Sequence, residues 1–306
     1  MNTLVQAPYS SVLVGHERLT LRSMTVSISP VTNTGPAENL RAHPPAAGRR
    51  RSSLSVQRSV LFALYLRELK TRFGSHRLGY LWVVLEPLTH VGALLMIFAV
   101  LNARTMPNFS FPVFLASGVS AWMLFNHTVI RAMAAMSANQ GLMGFSPVKP
   151  IDTVITRLLV ELLMFLAGVI VLWLIAWWVD HPVAIANPLL LAYLIASLSL
   201  FGGSIGLIFA IITHRQPDVG KFVPMIMRPL YFVSGVFFML AGLPSSLRDW
   251  ALLNPMVHWL DLIRVAVIEN YPDPIGSLFV ISATTAGSLL LSLMLYRIRR
   301  FDLVAS

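Results

Sequence analysis

Five stretches of the chain are apolar enough and long enough to cross a lipid bilayer: residues 80–101, 111–133, 154–179, 189–213 and 275–296. A helix rises about 1.5 Å per residue, so about 20 mostly apolar residues match the hydrocarbon thickness. A sixth stretch, 222–240, is weaker, because Pro224, Arg228 and Pro229 interrupt its first half; it is expected to be a broken helix. Ahead of the first span, Leu61, Tyr65, Leu69 and Phe73 recur every four positions, while Arg67, Lys70 and Thr71 take the other side. This spacing predicts an amphipathic helix over 56–76 that lies in the headgroup region and does not cross it. A plain basic flank of the first span is the simpler alternative.

Residues 1–53 carry Ser, Thr, Pro and Ala with scattered arginines and no sustained period, and are expected to form a disordered tail before a membrane domain over 54–306. They lack the apolar core and cleavage site of a signal peptide. A start at Met24 is an alternative for this region. Between the sixth and last spans, residues 241–274 are too polar to cross a bilayer and too apolar to stay in water. Two short helices dipping into the outer leaflet fit them, with starts at Pro244–Ser246 and Asn254–Pro255.

Charge orients this array. With the N-terminus inside, fourteen Lys and Arg from Arg58 to Arg300 flank the inner ends of the spans, against Arg104, Arg248 and Arg264 outside. That bias predicts a multi-pass protein of a bacterial cytoplasmic membrane with both termini cytoplasmic. Composition agrees: 56% of residues are hydrophobic, 12% are charged, and the mean hydropathy is +0.71. The net charge of +10 follows the membrane flanks and forms no stripe over a polar domain, so anionic lipid explains it better than nucleic acid. There is no cysteine, which excludes thiol chemistry and disulfides.

No phosphate loop occurs: Gly220 and Lys221 lack both the upstream glycine and the following hydroxyl. No metalloprotease, nucleophile-elbow or metal-ligand spacing is present, so no catalytic residue and no metal site is expected. Within the spans, Glu86 and His90 stand four apart and are expected to share a helix face and pair, with Pro87 loosening the backbone between them. Glu161 is expected to be neutralised by Arg157, also four residues away. The connection between the second and third spans, residues 139–150, holds an apolar knob of Leu142, Met143 and Phe145 between glycines and prolines. Composition alone leaves open whether it is a projecting helix that needs a partner or a plain turn.

The segment RELKTRFGSHRLGYLWVVLEPLTH, Arg67 to His90, resembles the opening of the permease subunits of type-2 ABC exporters, specifically the capsular polysaccharide export permeases. FLASGVSAWMLF in the second span, the GFSPVKP loop and NPMVHWLDLIR before the last span support the resemblance, which covers the chain from about Leu54 onward. It implies an all-α, six-span permease with an interface helix and re-entrant outer helices, acting as a homodimer on two copies of a separate cytoplasmic ATPase. ATP and Mg would be bound by that partner. A periplasmic polysaccharide co-polymerase and an outer-membrane export protein are further implied partners.

The resemblance tips the open question at residues 139–150 toward coupling. Gly141, Leu142, Met143, Gly144, Phe145 and Lys149 would seat in the ATPase, with Arg67 and Lys70 of the interface helix as a second contact. Trp82, Trp122, Phe125, Tyr231, Phe237 and Trp259 are candidates to contact a sliding sugar chain; as residues near span ends, such aromatics also serve as interfacial anchors. Arg248, Asp261 and Arg264 are expected to hold an outer gate through ion pairs, with Glu86 and His90 as further structural polar groups; for Asp261 and Arg264, three apart, a local helix pair is the simpler account. Export of O-antigen, teichoic acid, or a small lipid or drug is the alternative within transport. An integral membrane transferase is the alternative outside it, but the histidines are scattered over different segments and depths.

Overall fold

The computed structural model describes residues 52–73, 78–101, 109–143, 148–181, 183 and 185–303. The chain divides into two units, residues 1–50 and 51–306. The expected disordered tail lies outside the described residues, except that Ser53 already begins a helix.

The described elements are all helical: α1 (Ser53–Phe73), α2 (Leu78–Val100), α3 (Phe111–Met133), α4 (Gln140–Met143), α5 (Pro150–Trp178), α6 (Pro188–Arg215), α7 (Val219–Val233), α8 (Ser245–Ala251), α9 (Pro255–Val267) and α10 (Leu278–Arg299). Short 3-10 turns at Ser137–Asn139 and Leu240–Gly242 complete them. Five helices, α2, α3, α5, α6 and α10, are long and apolar enough to cross a membrane. Pro at the first turn of α3, α5, α6 and α9 fits a position whose N–H needs no helical partner.

The α3 and α6 helices form the centre, with α5 and α9 against α3, and α10 against α6. In lipid, helices gain little from apolar burial alone, so close backbone approach and dispersion must hold them together. Gly202 and Gly206 of α6 supply that approach: a Cβ at Gly206 would sit 2.8 Å from the Val129 carbonyl and 2.5 Å from the Ala132 Cβ of α3. These two glycines, four apart, lie on the face of α6 that meets α3.

The ends of the helices sort by charge. Ala132 at the end of α3, Ala135 and Met136 just after it, Val154 of α5, Leu207 and Ile211 of α6, and Leu303 after α10 pack into one cluster. The start of α5 and the ends of α3, α6 and α10 therefore gather at a single end of the bundle, which also carries Arg131, Lys149, Arg215 and Arg299. We call this the basic end.

The sixth segment departs most from a plain span. Its helix, α7, keeps Pro224 and Pro229 inside and stops at Val233, so its 15 residues measure only about 22 Å. The break falls after the prolines, at Gly235, whose φ of 83° is a left-handed value that glycine adopts freely. The helix α9 then begins where α7 ends: Asn254 Nδ2 donates to Ser234 Oγ at 3.1 Å. At its far end Ala266 O accepts from Ala186 N at 3.1 Å, just before α6. Between these points Trp259 Nε1 reaches Ser197 Oγ inside α6 at 3.0 Å. Thus α9 runs antiparallel to the first half of α6, from the depth of the bundle toward the end opposite the basic one, as a re-entrant helix does.

Candidate functional site

Three groups of residues follow from this frame: the basic end, the open face of α2 and α7, and the re-entrant region.

At the basic end α1 lies along α5. Four polar contacts fix it. Gln57 donates to Asp152, Glu68 pairs with Arg157 at 3.1 Å, Arg72 pairs with Glu161, and Arg67 Nη1 donates to Asn139 Oδ1 at 2.8 Å. The expected pairing of Glu161 with Arg157 is therefore not formed. Each reaches α1 instead, because Glu161 is buried at the α1–α5 seam and a cation from a neighbouring helix approaches it more directly than one along its own axis. The Arg131 guanidinium lies 3.7 Å from the same carboxylate.

Arg67, expected at an ATPase contact, has its guanidinium on the connection that follows α3. Asn139 is buried, and its Nδ2 donates to Ala135 O at 2.8 Å. The interface helix and that connection are thus joined. Asp152 reinforces the joint, accepting from Gln57 on one oxygen and from the Lys149 backbone N–H at 3.0 Å on the other. Lys70, Gly141 and the Lys149 residue are exposed, and Leu142 is half-buried. The Met143 side chain, Gly144 and Phe145 lie outside the described residues. Along α1 the most buried residue is Leu64, while Phe62 and Leu66, off the expected stripe, stay exposed.

On the open face, Trp82 is 63% exposed, and Glu86, His90, Tyr231 and Phe237 are half-buried. The expected pair of Glu86 with His90 is replaced by two bonds between helices. Glu86 meets His127 Nε2 of α3 at 3.1 Å, and His90 Nε2 bonds Tyr231 Oη of α7 at 3.0 Å. Arg228 is exposed on α7. Trp122, Phe125 and Trp259 are buried inside the chain. They join an aromatic ladder that leads inward from Tyr231 through Trp122, Phe125 and Phe201 to Trp259, with successive ring centroids 5.6, 5.7, 5.5 and 4.9 Å apart. Of the six aromatic candidates, Trp82, Tyr231 and Phe237 are accessible on the surface of the chain.

In the re-entrant region the expected outer ion pairs are not among those of the described residues. Arg264, fully buried, donates to the carbonyls of Gly235 and Val236, each at 2.8 Å, and stacks 3.6 Å from the Phe114 ring centroid. These carbonyls lie where α7 has broken, so the guanidinium supplies the donors that a continued helix would have supplied. Asp261 accepts from Ile275 N, Gly276 N and Tyr271 Oη, each at 2.9 Å, and so tethers the chain entering α10. Burial pushes the Tyr271 phenol well above its ordinary range, keeping it a donor. His258 takes a hydrogen bond from Ser277 N on Nδ1 at 3.0 Å, which leaves Nε2 to donate to Leu252 O at 3.0 Å. Arg248 donates to Leu243 O at 3.0 Å. Two short helices, α8 and α9, stand at the expected starts, and Arg248, Asp261 and Arg264 hold backbone groups there.

The sequence reading missed Asn139, His127 and Asp152. Each is a lone polar residue at a helix end or beside an apolar run, and its partner is distant in sequence. Among the described residues, no group of three His, Asp or Glu is placed to hold a metal ion.

Five membrane-length helices, with the shorter α7 and the basic helix α1 packed beside them, form an all-α architecture suited to crossing a membrane several times. The chain belongs to the ABC-2 type transporter family, whose model matches residues 59–268. It is 41% identical over 256 residues to the polysialic acid transport protein KpsM of Escherichia coli, a match covering 84% of this chain and 99% of that relative. It is 29% identical to the capsule polysaccharide export inner-membrane protein CtrC of Neisseria meningitidis, over 72% of this chain and 85% of that one. The O-antigen export system permease protein RfbA of Myxococcus xanthus is 25% identical, over 81% of this chain and 95% of its own length.

Proposed function

We propose that this chain is the membrane-spanning subunit of an ATP-driven exporter of capsular polysaccharide, carried as a lipid-linked chain across the bacterial inner membrane. The observation behind the reading is its similarity to KpsM, which runs over 99% of that polysialic acid transport protein. Two copies work together on two copies of a separate cytoplasmic ABC ATPase, which binds ATP and Mg. A periplasmic co-polymerase and an outer-membrane export protein receive the polymer. The basic end faces the cytoplasm, with both termini there.

The open face supports this assembly. Arg228 is exposed on a helix among spanning segments, and a cation facing lipid near the bilayer centre costs roughly 2.5–3.5 kcal/mol. A polar conduit shared with a second copy removes that cost. Trp82, Tyr231 and Phe237 present aromatic faces to sugar rings along it, while Glu86 and His90 hold α2 to α3 and α7. ATP binding draws the ATPases together and displaces Gly141, Leu142, Met143, Gly144, Phe145 and Lys149, together with Arg67 and Lys70. Because Arg67 is bonded to Asn139, α1 and the connection move as one body, and the Arg72–Glu161 and Glu86–His127 contacts relay that motion to α5, α2 and α3. Such a drive requires the ATPase to contact the permease differently in its two nucleotide states. At the outer side Arg248, Asp261 and Arg264 set the shape of the gate by fixing the re-entrant backbone.

The test is complementation. A capsulated strain lacking its own export permease, but retaining the ATPase, should regain surface capsule when supplied with this chain. Restoration of O-antigen export alone, with polymer still trapped inside in the capsule strain, would assign the other substrate.

A further inference from the structure

A cavity of about 340 Å³ opens among α2, α3 and α5 where the end of α1 meets them. Arg72, Glu86, His127, Arg131 and Glu161 line its charged part, and Met164, Phe165 and Val169 line an apolar wall. Both carboxylates already have a partner: Glu161 holds Arg72, and Glu86 meets His127. Arg131 is different. Its guanidinium has only the 3.7 Å contact with Glu161, forms no side-chain hydrogen bond among the described residues, and leaves 53% of the side chain exposed. Ser120 lines the same cavity from deeper in α3; it is only 5% exposed, and its hydroxyl has no hydrogen-bond partner. The chain's own side chains therefore leave both an available cation and an orphaned hydroxyl around one space.

Arg131 lies near the basic end of α3, and Ser120 lies eleven residues deeper, about 16 Å along the axis. Half the hydrocarbon thickness of a bilayer is about 15 Å. The cavity thus reaches from headgroup depth toward the midplane, with its cation at the headgroup end and its apolar wall beyond. We propose that it binds one anionic phospholipid of the inner leaflet, with the phosphodiester on Arg131 and an acyl chain along Met164, Phe165 and Val169. A monoanion fits because Glu161 is held by Arg72 and Glu86 meets His127, which leaves the half-exposed Arg131 guanidinium with donors for a phosphate oxygen. A zwitterionic headgroup would bring an ammonium to a site whose carboxylates already have partners. This goes beyond the transport reading, rests on it for which leaflet supplies the lipid, and places that lipid beside Trp82 and Glu86 of the path proposed there. Binding by the purified chain is measured without export, so the two can fail separately.

The experiment is a titration of the purified full chain in detergent with phosphatidylglycerol, phosphatidylcholine of the same chains, and inorganic phosphate, read by native mass spectrometry. The wild type should favour phosphatidylglycerol by about tenfold, the ratio that one charge-assisted contact supports. R131Q should abolish the preference and R131K should keep it, and millimolar phosphate should not displace the lipid. S120L fills the deep end and should weaken lipid binding about tenfold while leaving the thermal unfolding of the lipid-free chain unchanged. Retained preference in R131Q, equal binding of the two lipids, or displacement by phosphate alone would each overturn the proposal. If R131Q does not fold, undiminished lipid binding by S120L overturns it equally.

Discussion

The guanidinium of Arg264 occupies the space that a side chain at Gly118 would need: a Cβ there would lie 2.5 Å from Nη2. The broken α7, the re-entrant α9 and the central α3 meet at this point, so one glycine lets one arginine hold three elements together. The Gly118→Ala substitution should push the guanidinium off the Gly235 and Val236 carbonyls and cost about 1–3 kcal/mol, by overpacking and lost hydrogen bonds. Thermal unfolding in detergent should show a clearly lower midpoint. A midpoint equal to the wild type would mean that Arg264 has another seat.

The joint between Arg67 and Asn139 has a signature of its own. If α1 and the connection after α3 move as one body, R67A and N139A should each reduce surface capsule, and the double variant should be no worse than the more damaging single one. Independent, multiplying losses would mean that the two elements act separately.

Glu161 is buried between Arg72 and Arg131. Removing its charge alone leaves cations without their counter-ion at a protein seam, so E161L should destabilise the chain by about 3–5 kcal/mol. The double variant R72M/E161L removes the pair together and should recover much of that loss. Chemical unfolding of the two variants against wild type measures it, and equal destabilisation would count against the pairing.

Lys149 is exposed, while its backbone N–H caps α5 through Asp152. Reversing its charge in K149E leaves that cap intact, and M143P disrupts only the short α4. Both variants should insert normally and hydrolyse ATP with the partner, yet export little. Wild-type surface capsule in both would remove the coupling role of this connection.

Much of the fold is legible because membrane helices follow from apolar length. The spans starting at Phe111 and Leu189 agree with α3 and α6 to within two residues at each end. The broken segment was legible as well, though not its breakpoint: Pro224 and Pro229 are accommodated within α7, and the turn is made at Gly235. The polar contacts were much less readable. Spacing along one helix paired Glu86 with His90 and Glu161 with Arg157, whereas the fold offers each a partner on another helix, separated by 41 positions for Glu86 and His127 and by 89 for Glu161 and Arg72. Helix periodicity carries no information on such distant pairs. The same limit hides Asn139, and it makes Trp259 a candidate for sugar contact or an interfacial anchor, whereas it lies buried at the inner end of a ladder of rings.

In the proposed export system this chain works through an ATPase carried on a separate subunit. The direct measurement is ATP hydrolysis by the purified chain, alone and after co-expression with the cytoplasmic ATPase of its export system. The account predicts no hydrolysis by the isolated chain, recovery of an equimolar complex on co-expression, and hydrolysis by that complex. Hydrolysis by the isolated chain, or failure of the two proteins to associate, would contradict it.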